Sequence, residues 1–216
     1  MELLCSLERL NLDVNFDINE QIDLCREQDK DISEICIKNL DMENEDLSYL
    51  SFETVIFDNC NLIGCDFNKT SFSNVAFKNC NLSNSTFSDS YFSKVEMISS
   101  KLIGSIFSDS IIKFTLLSNC LYSYSVFSKS NLISVKMKDI DFIDAELTDC
   151  KFKNIDLSNC RFSGTSFFKS SLNGIDFSDC ILEGIRVSDD FSELKGVRVS
   201  EMQALELSSL LKIVIV

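Results

Sequence analysis

The chain has 216 residues, of which 34 are acidic, 20 are basic and none is histidine, so its formal net charge is −14. Phosphate backbones repel so acidic a protein, and we therefore expect no direct contact with nucleic acid. Without histidine the chain lacks the commonest general base and zinc ligand, and its six glycines form no phosphate-binding loop. We expect a protein that is not an enzyme and that uses no cofactor or metal.

The first segment, residues 1–46, is the most acidic part of the chain, with 14 acidic and 4 basic residues and hence a net charge of −10. We predict that it forms an acidic cap with the first coil or coils of the fold, although a solvated, solubilising terminus is an equal alternative. Apolar residues alternate over 10–18, which predicts a strand, and a charged helix is expected near 20–30. The first five residues are unlike a signal peptide, which favours a cytoplasmic protein.

The second segment, residues 47–190, carries a strict five-residue repeat. From position 32 to position 187, all 32 residues whose numbers end in 2 or 7 are large and apolar, and 14 of them are Phe. A period of five fits neither one face of an α-helix nor one face of a continuous strand. Each group of five must therefore contain its own corner. Small residues stand two positions before each large one, so both positions are predicted to point inward.

These residues resemble the pentapeptide repeat family, whose motif is a small residue, Asp or Asn, Leu or Phe, and two polar residues. The clearest matches are Cys60-Asn61-Leu62, Cys80-Asn81-Leu82 and Ile175-Asp176-Phe177. The resemblance implies an all-β solenoid, a right-handed quadrilateral β-helix with 20 residues per coil. At that spacing Phe67, Phe87, Phe107 and Phe127 would form one column, with rings about 4.8 Å apart.

Seven of the ten cysteines occupy the small inward position, and five of them would share one column: Cys60, Cys80, Cys120, Cys160 and Cys180. There is no CxxC pair, which argues against a zinc site. Stacked pairs such as Cys60 and Cys80 would approach disulfide distance, but a reducing cytoplasm favours free thiols. We interpret these cysteines as small buried packing residues.

Two clusters of outward residues are candidate partner-binding surfaces. The first is an apolar belt in the middle of the chain, formed by Ile106, Ile111, Phe114, Leu116 and Val126. Such a belt on a rod indicates a partner contact, or else local drift of the repeat without a ligand. The second is an acidic patch that we predict to dock on a basic groove: Asp139, Asp141, Asp144, Glu146 and Asp149. The alternative is a salt-bridged exterior, since Lys136, Lys138, Lys151 and Lys153 flank it.

The last segment, residues 191–216, leaves the repeat. Ser200 and Gln203 have the spacing of a capping box, which predicts a short C-terminal α-helix. Its apolar residues predict a dimerisation module, with a monomeric cap over the last coil as the alternative: Met202, Leu205, Leu207, Leu210 and Leu211. A strand-like tail, residues 212–216, follows. Its apolar run is far too short to span a membrane, and no membrane association is expected.

The stretch with Gly196, Val199, Gln203 and Ala204 is similar to the C-terminal segment of the Qnr-type quinolone-resistance members of the family. Because no loop interrupts the register, the chain resembles the members without loops. This resemblance implies a DNA-mimicking homodimer that binds type II topoisomerase (DNA gyrase or topoisomerase IV) and protects it from quinolones. The alternative is a scaffold or self-immunity protein whose partner is unrelated to DNA. Duplex DNA carries one charge per about 1.7 Å, whereas residues 47–190 have 17 acidic and 13 basic residues, a net charge of only −4. Mimicry would therefore be confined to local patches.

Overall fold

The computed structural model describes residues 18–28 and 30–211, which form a parallel β-solenoid. Helix α1 (Ile18–Gln28) precedes the coils, and helix α2 (Glu201–Ser208) follows them, with 3₁₀ turns at Ser192–Leu194 and Ser209–Leu211. The described strands are β1 (Ile32–Lys38), β2 (Ser51–Asp58), β3 (Ser71–Lys78), β4 (Tyr91–Ser93), β5 (Glu96–Ile98), β6 (Ile111–Lys113), β7 (Leu116–Ser118), β8 (Asn131–Lys138) and β9 (Lys151–Ser158).

Strands β1 to β8 pair in parallel with residues 20 positions further along, as in Phe52 with Phe72 and Leu132 with Phe152. Positive φ angles recur at numbers ending in 4 and 9, which places four corners in each coil. We number the faces by the coil at 141–158: face 1 holds 141–143, face 2 holds 146–148, face 3 holds 151–153 and face 4 holds 156–158. Other coils follow in steps of 20. The predicted quadrilateral β-helix is confirmed.

The large residues fill the interior as predicted. All the residues of the five-residue register from Ile32 to Val187 are buried, except Phe152, Leu157 and Val187, which are partly buried. The rings of Phe67, Phe87, Phe107 and Phe127 stack with centroid separations of 4.9, 4.7 and 4.6 Å and nearly parallel planes. These separations match the spacing of hydrogen-bonded strands, so backbone pairing and ring stacking support each other.

The small inward residues satisfy their own polar atoms by hydrogen bonding to the preceding coil. Ser90 Oγ donates to Phe67 O at 2.8 Å, and Ser110 Oγ donates to Phe87 O at 2.6 Å. The cysteines occupy equivalent places, and Cys80 Sγ donates to Phe57 O at 3.4 Å. Within the described residues all nine cysteines are free and buried, which confirms that they are packing residues.

Each corner requires a residue with a positive φ angle, in the left-handed region, and most corners carry Asn, Asp, Lys, Ser or Gly. The exceptions include Phe114 at φ 53° and Tyr124 at φ 60°. Corners after faces 1 and 2 usually close with a turn hydrogen bond, such as Ser105 N to Leu102 O at 3.2 Å. Strands such as β8 instead run through the corner between faces 3 and 4.

Both ends of the core are covered by helices. In α1 the buried side chains are Ile18, Ile22 and Cys25, and Arg26 Nη2 donates to Asp46 O at 2.7 Å. The helix expected near 20–30 is thus confirmed. The predicted strand over 10–18 lies outside the described residues, except that Ile18 begins α1.

At the other end the capping box of Ser200 and Gln203 is present, and the predicted C-terminal helix is confirmed. The buried Gln203 Nε2 donates to Phe177 O at 2.8 Å and to Cys180 O at 2.5 Å, which fastens α2 to the last coil. The predicted tail at 212–216 and the side chain of Leu211 lie outside the described residues.

Candidate functional site: the outer faces of the solenoid

The acidic patch lies on one coil but extends over two faces. Asp141 belongs to face 1 and Glu146 to face 2, while Asp139, Asp144 and Asp149 occupy three successive corners. Asp139 and Asp149 are therefore at diagonally opposite corners and cannot meet one flat partner together. The compact part of the acidic patch is the group of three acids Asp141, Asp144 and Glu146.

Several of these carboxylates also stabilise their own coil. Asp141 Oδ1 accepts a hydrogen bond from Ile143 N at 2.9 Å, and Asp139 Oδ1 accepts one from Asn159 Nδ2 at 2.7 Å. Asp144 lies against Gly164 of the next coil, in space that a β-carbon at 164 would occupy. Of the three acids, Asp141 is held by its own backbone and Glu146 Oε2 accepts a hydrogen bond from Thr148 Oγ1 at 3.2 Å, while Asp144 is exposed at its corner.

The lysines that flank the acidic patch in the sequence do not lie among its three acids. Lys136, Lys138, Lys151 and Lys153 all belong to β8 and β9, on faces 3 and 4. The partner that sequence reasoning missed is Arg186, two coils away, whose Nη2 lies 3.0 Å from Glu146 Oε1. A separation of 40 residues is two coils on the same face, so the 20-residue period alone would have identified this pair.

The apolar belt also divides between faces. Ile106 and Val126 pair in neighbouring coils on face 2. Ile111, Phe114 and Leu116 lie across faces 3 and 4, and each is at least partly exposed. The two groups are on different sides of the solenoid and present two separate apolar surfaces.

Phe114 and Leu116 of this second group border a groove of about 540 Å³ at the corner where β4 and β6 separate from β5 and β7. Phe114 is 60% exposed there, beside Val95, Thr115 and Leu116. Lys94 and Lys136 also line the groove. An exposed aromatic ring on a left-handed residue gains little from folding and costs about 1–2 kcal/mol of backbone strain. Packing within the solenoid therefore does not account for Phe114, and a partner contact at this groove stays a prediction.

The apolar residues of α2 divide between two roles. Met202 and Leu205 are 68% and 48% exposed, whereas Leu207 and Leu210 are partly buried against the core. The helix thus caps the last coil with one side and leaves an apolar side open. The structure shows the capping role, and the dimerisation module stays a prediction.

A buried carboxylate next to α2 was not anticipated from the sequence. Glu193 is only 2% exposed, and it accepts hydrogen bonds from Lys169 N at 2.7 Å and from the hydroxyl and amide of Ser188. Burial acts to raise the pKa of Glu193, but these hydrogen bonds outweigh it, and the pKa lies below the ordinary value. Glu193 joins three separate parts of the final coil.

Groups that could support chemistry are few in the described part of the chain. Across residues 18–28 and 30–211, no cluster of cysteine and acidic side chains could hold a metal ion. None of the helices described is long and apolar enough to cross a membrane. The main features are the outer faces, and they define a class of protein: a four-sided parallel β-solenoid that presents fixed rows of side chains.

Comparison with known proteins identifies the family. The profile "Pentapeptide repeat region" matches residues 50–127, and the profile "Pentapeptide repeats (8 copies)" matches residues 145–184. Together they cover more than half of the chain. The chain belongs to the pentapeptide repeat family. No curated protein sequence matches it significantly.

Solved structures show the same fold. A trypsin-treated form of QnrB1, a plasmid-mediated fluoroquinolone resistance protein, is similar with a TM-score of 0.60 and 22% identity, over 84% of this chain and 91% of that chain. Full-length QnrB1 gives a TM-score of 0.52 and 20% identity, over 82% and 100% of the two chains. HetL from the cyanobacterium Nostoc gives 0.45 and 10%, over 85% and 95%. The two QnrB1 comparisons establish a shared fold.

Proposed function

We propose that this protein is a non-enzymatic binding protein whose three acids Asp141, Asp144 and Glu146 occupy a basic DNA-binding groove of a type II topoisomerase. The observation that carries the proposal is the placement of these acids on faces 1 and 2, away from the lysines of β8 and β9. Carboxylates grouped on two adjacent faces of a narrow rod attract a basic groove at long range and orient the encounter, and Arg161 and Arg186 on the same faces offset only part of this charge.

The partner is proposed from the likeness to QnrB1, and the mode of binding from the surface. The backbone places these carboxylates at a corner and on two flat faces, so they would replace phosphates at positions that the coil already fixes. Protection from quinolones would follow if binding of the rod lowers the amount of the enzyme–DNA–drug complex. We further propose a homodimer through the open side of α2, where Met202 and Leu205 are exposed.

The direct test is a supercoiling assay with purified DNA gyrase, with and without ciprofloxacin. We expect the protein to inhibit supercoiling or to restore it in the presence of the drug. The variant Asp141→Lys, Asp144→Lys, Glu146→Lys should lose this effect at least tenfold. Lysine is acceptable in the left-handed conformation of Asp144, because Lys69, Lys94, Lys129 and Lys169 adopt it at other corners of the solenoid.

The matched control makes the same change of net charge on the other faces, with Glu53→Lys, Glu96→Lys and Asp156→Lys. These residues belong to β2, β5 and β9. The control should retain most of the effect. Equal loss in the two variants would indicate a response to net charge and would contradict the proposed site.

The second candidate is a scaffold whose partner is unrelated to DNA, and the groove at Phe114 favours it. Phe114 and Tyr124 are 60% and 62% exposed at left-handed corners, where Asn or Gly would be unstrained. Two results would support this candidate over the first. The wild-type protein would have no effect on gyrase, and the substitution Phe114→Asn would abolish binding of another partner protein.

A further inference from the structure

The parallel pairing of coils is interrupted at one place. Strand β9 pairs with β8 along its whole length, but no backbone hydrogen bond joins it to residues 171–178 of the next coil within the described chain. Residues 171–178 pair instead with the chain that follows, as in Arg198 N to Ile175 O at 2.9 Å. The space between β9 and residues 171–178, on faces 3 and 4, is called the slot below.

Faces 1 and 2 remain closed at the same level. Asp141 pairs with Arg161 and then Ile181, while Ser166 links Glu146 to Arg186. The slot is therefore a wedge that opens on one side of the rod.

A change of corner geometry accounts for the slot. Strand β9 runs through the corner at Asn154, whereas the next coil closes that corner with Ile175 N donating to Leu172 O at 3.1 Å. Cys180 N donates to Phe177 O at 2.8 Å in the same kind of turn. A tight turn and a continuous strand follow different backbone paths, so their amides and carbonyls do not align.

The slot leaves specific backbone groups without the partners that equivalent residues have. At the equivalent corner Phe114 N donates to Ile133 O at 3.0 Å, but Asn154 N has no such acceptor. Likewise Lys151 N donates to Ser130 O at 2.9 Å, whereas Ser171 N has no carbonyl opposite it. An open strand edge of this kind binds an added strand.

The chemistry of the slot specifies an apolar occupant. Phe152, Ile155 and Leu157 are only partly buried, in contrast to their counterparts in other coils. Behind them an apolar cavity is lined by residues that include Phe162 and Phe177. The wedge must open to about 9.6 Å, twice the normal strand spacing, to admit one strand.

We infer that residues 212–216 of a second copy of this chain add as a strand to the edge of β9. Four consecutive β-branched residues, Ile213, Val214, Ile215 and Val216, form the most strand-prone apolar segment of the C-terminal region. Five extended residues span about 17 Å, which suits one face of the coil. This inference rests on the proposed dimer.

The position of the C-terminal end makes the exchange geometrically reasonable. Leu210 lines a surface groove with Val187 and Phe191, at the corner where face 3 begins. The exposed Met202 and Leu205 of α2 lie at the same end of the rod. A twofold contact there would bring each tail to the partner's slot reciprocally.

Hydrogen exchange of a mixed sample tests the inference. A ¹⁵N-labelled chain that ends at Leu211 has a slot but no tail, and it is mixed with unlabelled full-length protein. We expect the amides of Asn154 and Ser171 to exchange at least tenfold more slowly in the mixture than in the labelled chain alone. Unlabelled full-length protein carrying Val214→Pro should give no protection, because proline cannot complete the strand. Val214→Ile is the matched control and should protect.

Two results would overturn the inference. A ¹⁵N-labelled full-length chain is measured in parallel. If only this chain is protected, at all protein concentrations, each chain's own tail fills the slot. Rapid exchange in every sample would mean that the slot is open to solvent. Light scattering on the same samples separates these results from failure of the dimer, since a monomer mass refutes the dimer itself.

Discussion

The side chain of Asn84 lies against Gly104 of the next coil, with Asn84 Oδ1 only 2.6 Å from the point where a β-carbon on Gly104 would stand. The φ of Gly104 is +70°. We expect Gly104→Ala to lower the free energy of unfolding by about 2–4 kcal/mol, from left-handed strain together with this clash. Gly174 is the control, since its φ is +78° but nothing lies within 4 Å. Gly174→Ala should cost only about 1–2 kcal/mol, and equal shifts in urea midpoint would contradict the clash.

Phe114 should be nearly dispensable for folding. Replacing it with Asn removes a partly exposed ring but relieves about 1–2 kcal/mol of left-handed strain, so the two effects offset each other. The free energy of unfolding, measured by thermal denaturation, should change by less than about 1 kcal/mol. Phe107→Ala, in the buried ring stack, should cost about 3–5 kcal/mol. A large loss of stability from Phe114→Asn would show that the ring is a packing element.

The pH dependence of stability should reveal Glu193. Its folded-state pKa is lowered, so its stabilising effect is complete above the ordinary value of 4.5 and is lost as the pH falls through the folded pKa. At pH 7, Glu193→Gln should destabilise the protein by about 1.5–3 kcal/mol, as for a buried charged hydrogen bond. The difference from wild type should shrink below pH 4.5. Glu206→Gln, an exposed change in α2, should show no such trend.

The thiols should be unreactive until the protein unfolds. All nine described cysteines are buried, and burial raises the pKa of Cys120 to about 11 and that of Cys150 to about 12, so these two carry little thiolate at pH 8. With an aromatic disulfide reagent, the nine described thiols of the native protein should not react rapidly. In denatured protein without reductant, all ten thiols should react. Fewer than ten would indicate disulfides.

Arg186 should weaken the proposed binding. Its Nη2 lies 3.0 Å from Glu146 Oε1, and both side chains are substantially exposed, so their pairing contributes little to stability. Arg186→Gln should leave the unfolding temperature almost unchanged but tighten binding to gyrase by about two- to fivefold, more so at low salt. Weaker binding would show that Arg186 itself contacts the partner.

The candidate surfaces were only partly predictable. Positions of Asp141, Asp144 and Glu146 as outward residues follow from the five-residue register, and the structure places them so. The flanking lysines lie on other faces than the three acids, which the register also implies: Lys151 is two residues beyond Asp149, past a corner and on the next face. Arg186 is distant from Glu146 in sequence yet contacts it directly, since the 20-residue period brings residues 40 apart onto one face.

The sequence by itself determined which side chains face inward, where the corners fall and which rings stack, because a five-residue period fixes direction within each turn. Only the tertiary structure decided how consecutive coils meet. Whether Leu172 and Ile175 form a tight turn or continue a strand depends on hydrogen bonds with residues such as Glu193 and Arg198, which follow much later in the chain. The slot beside β9 arises from that choice, and no local pattern of apolar residues encodes it.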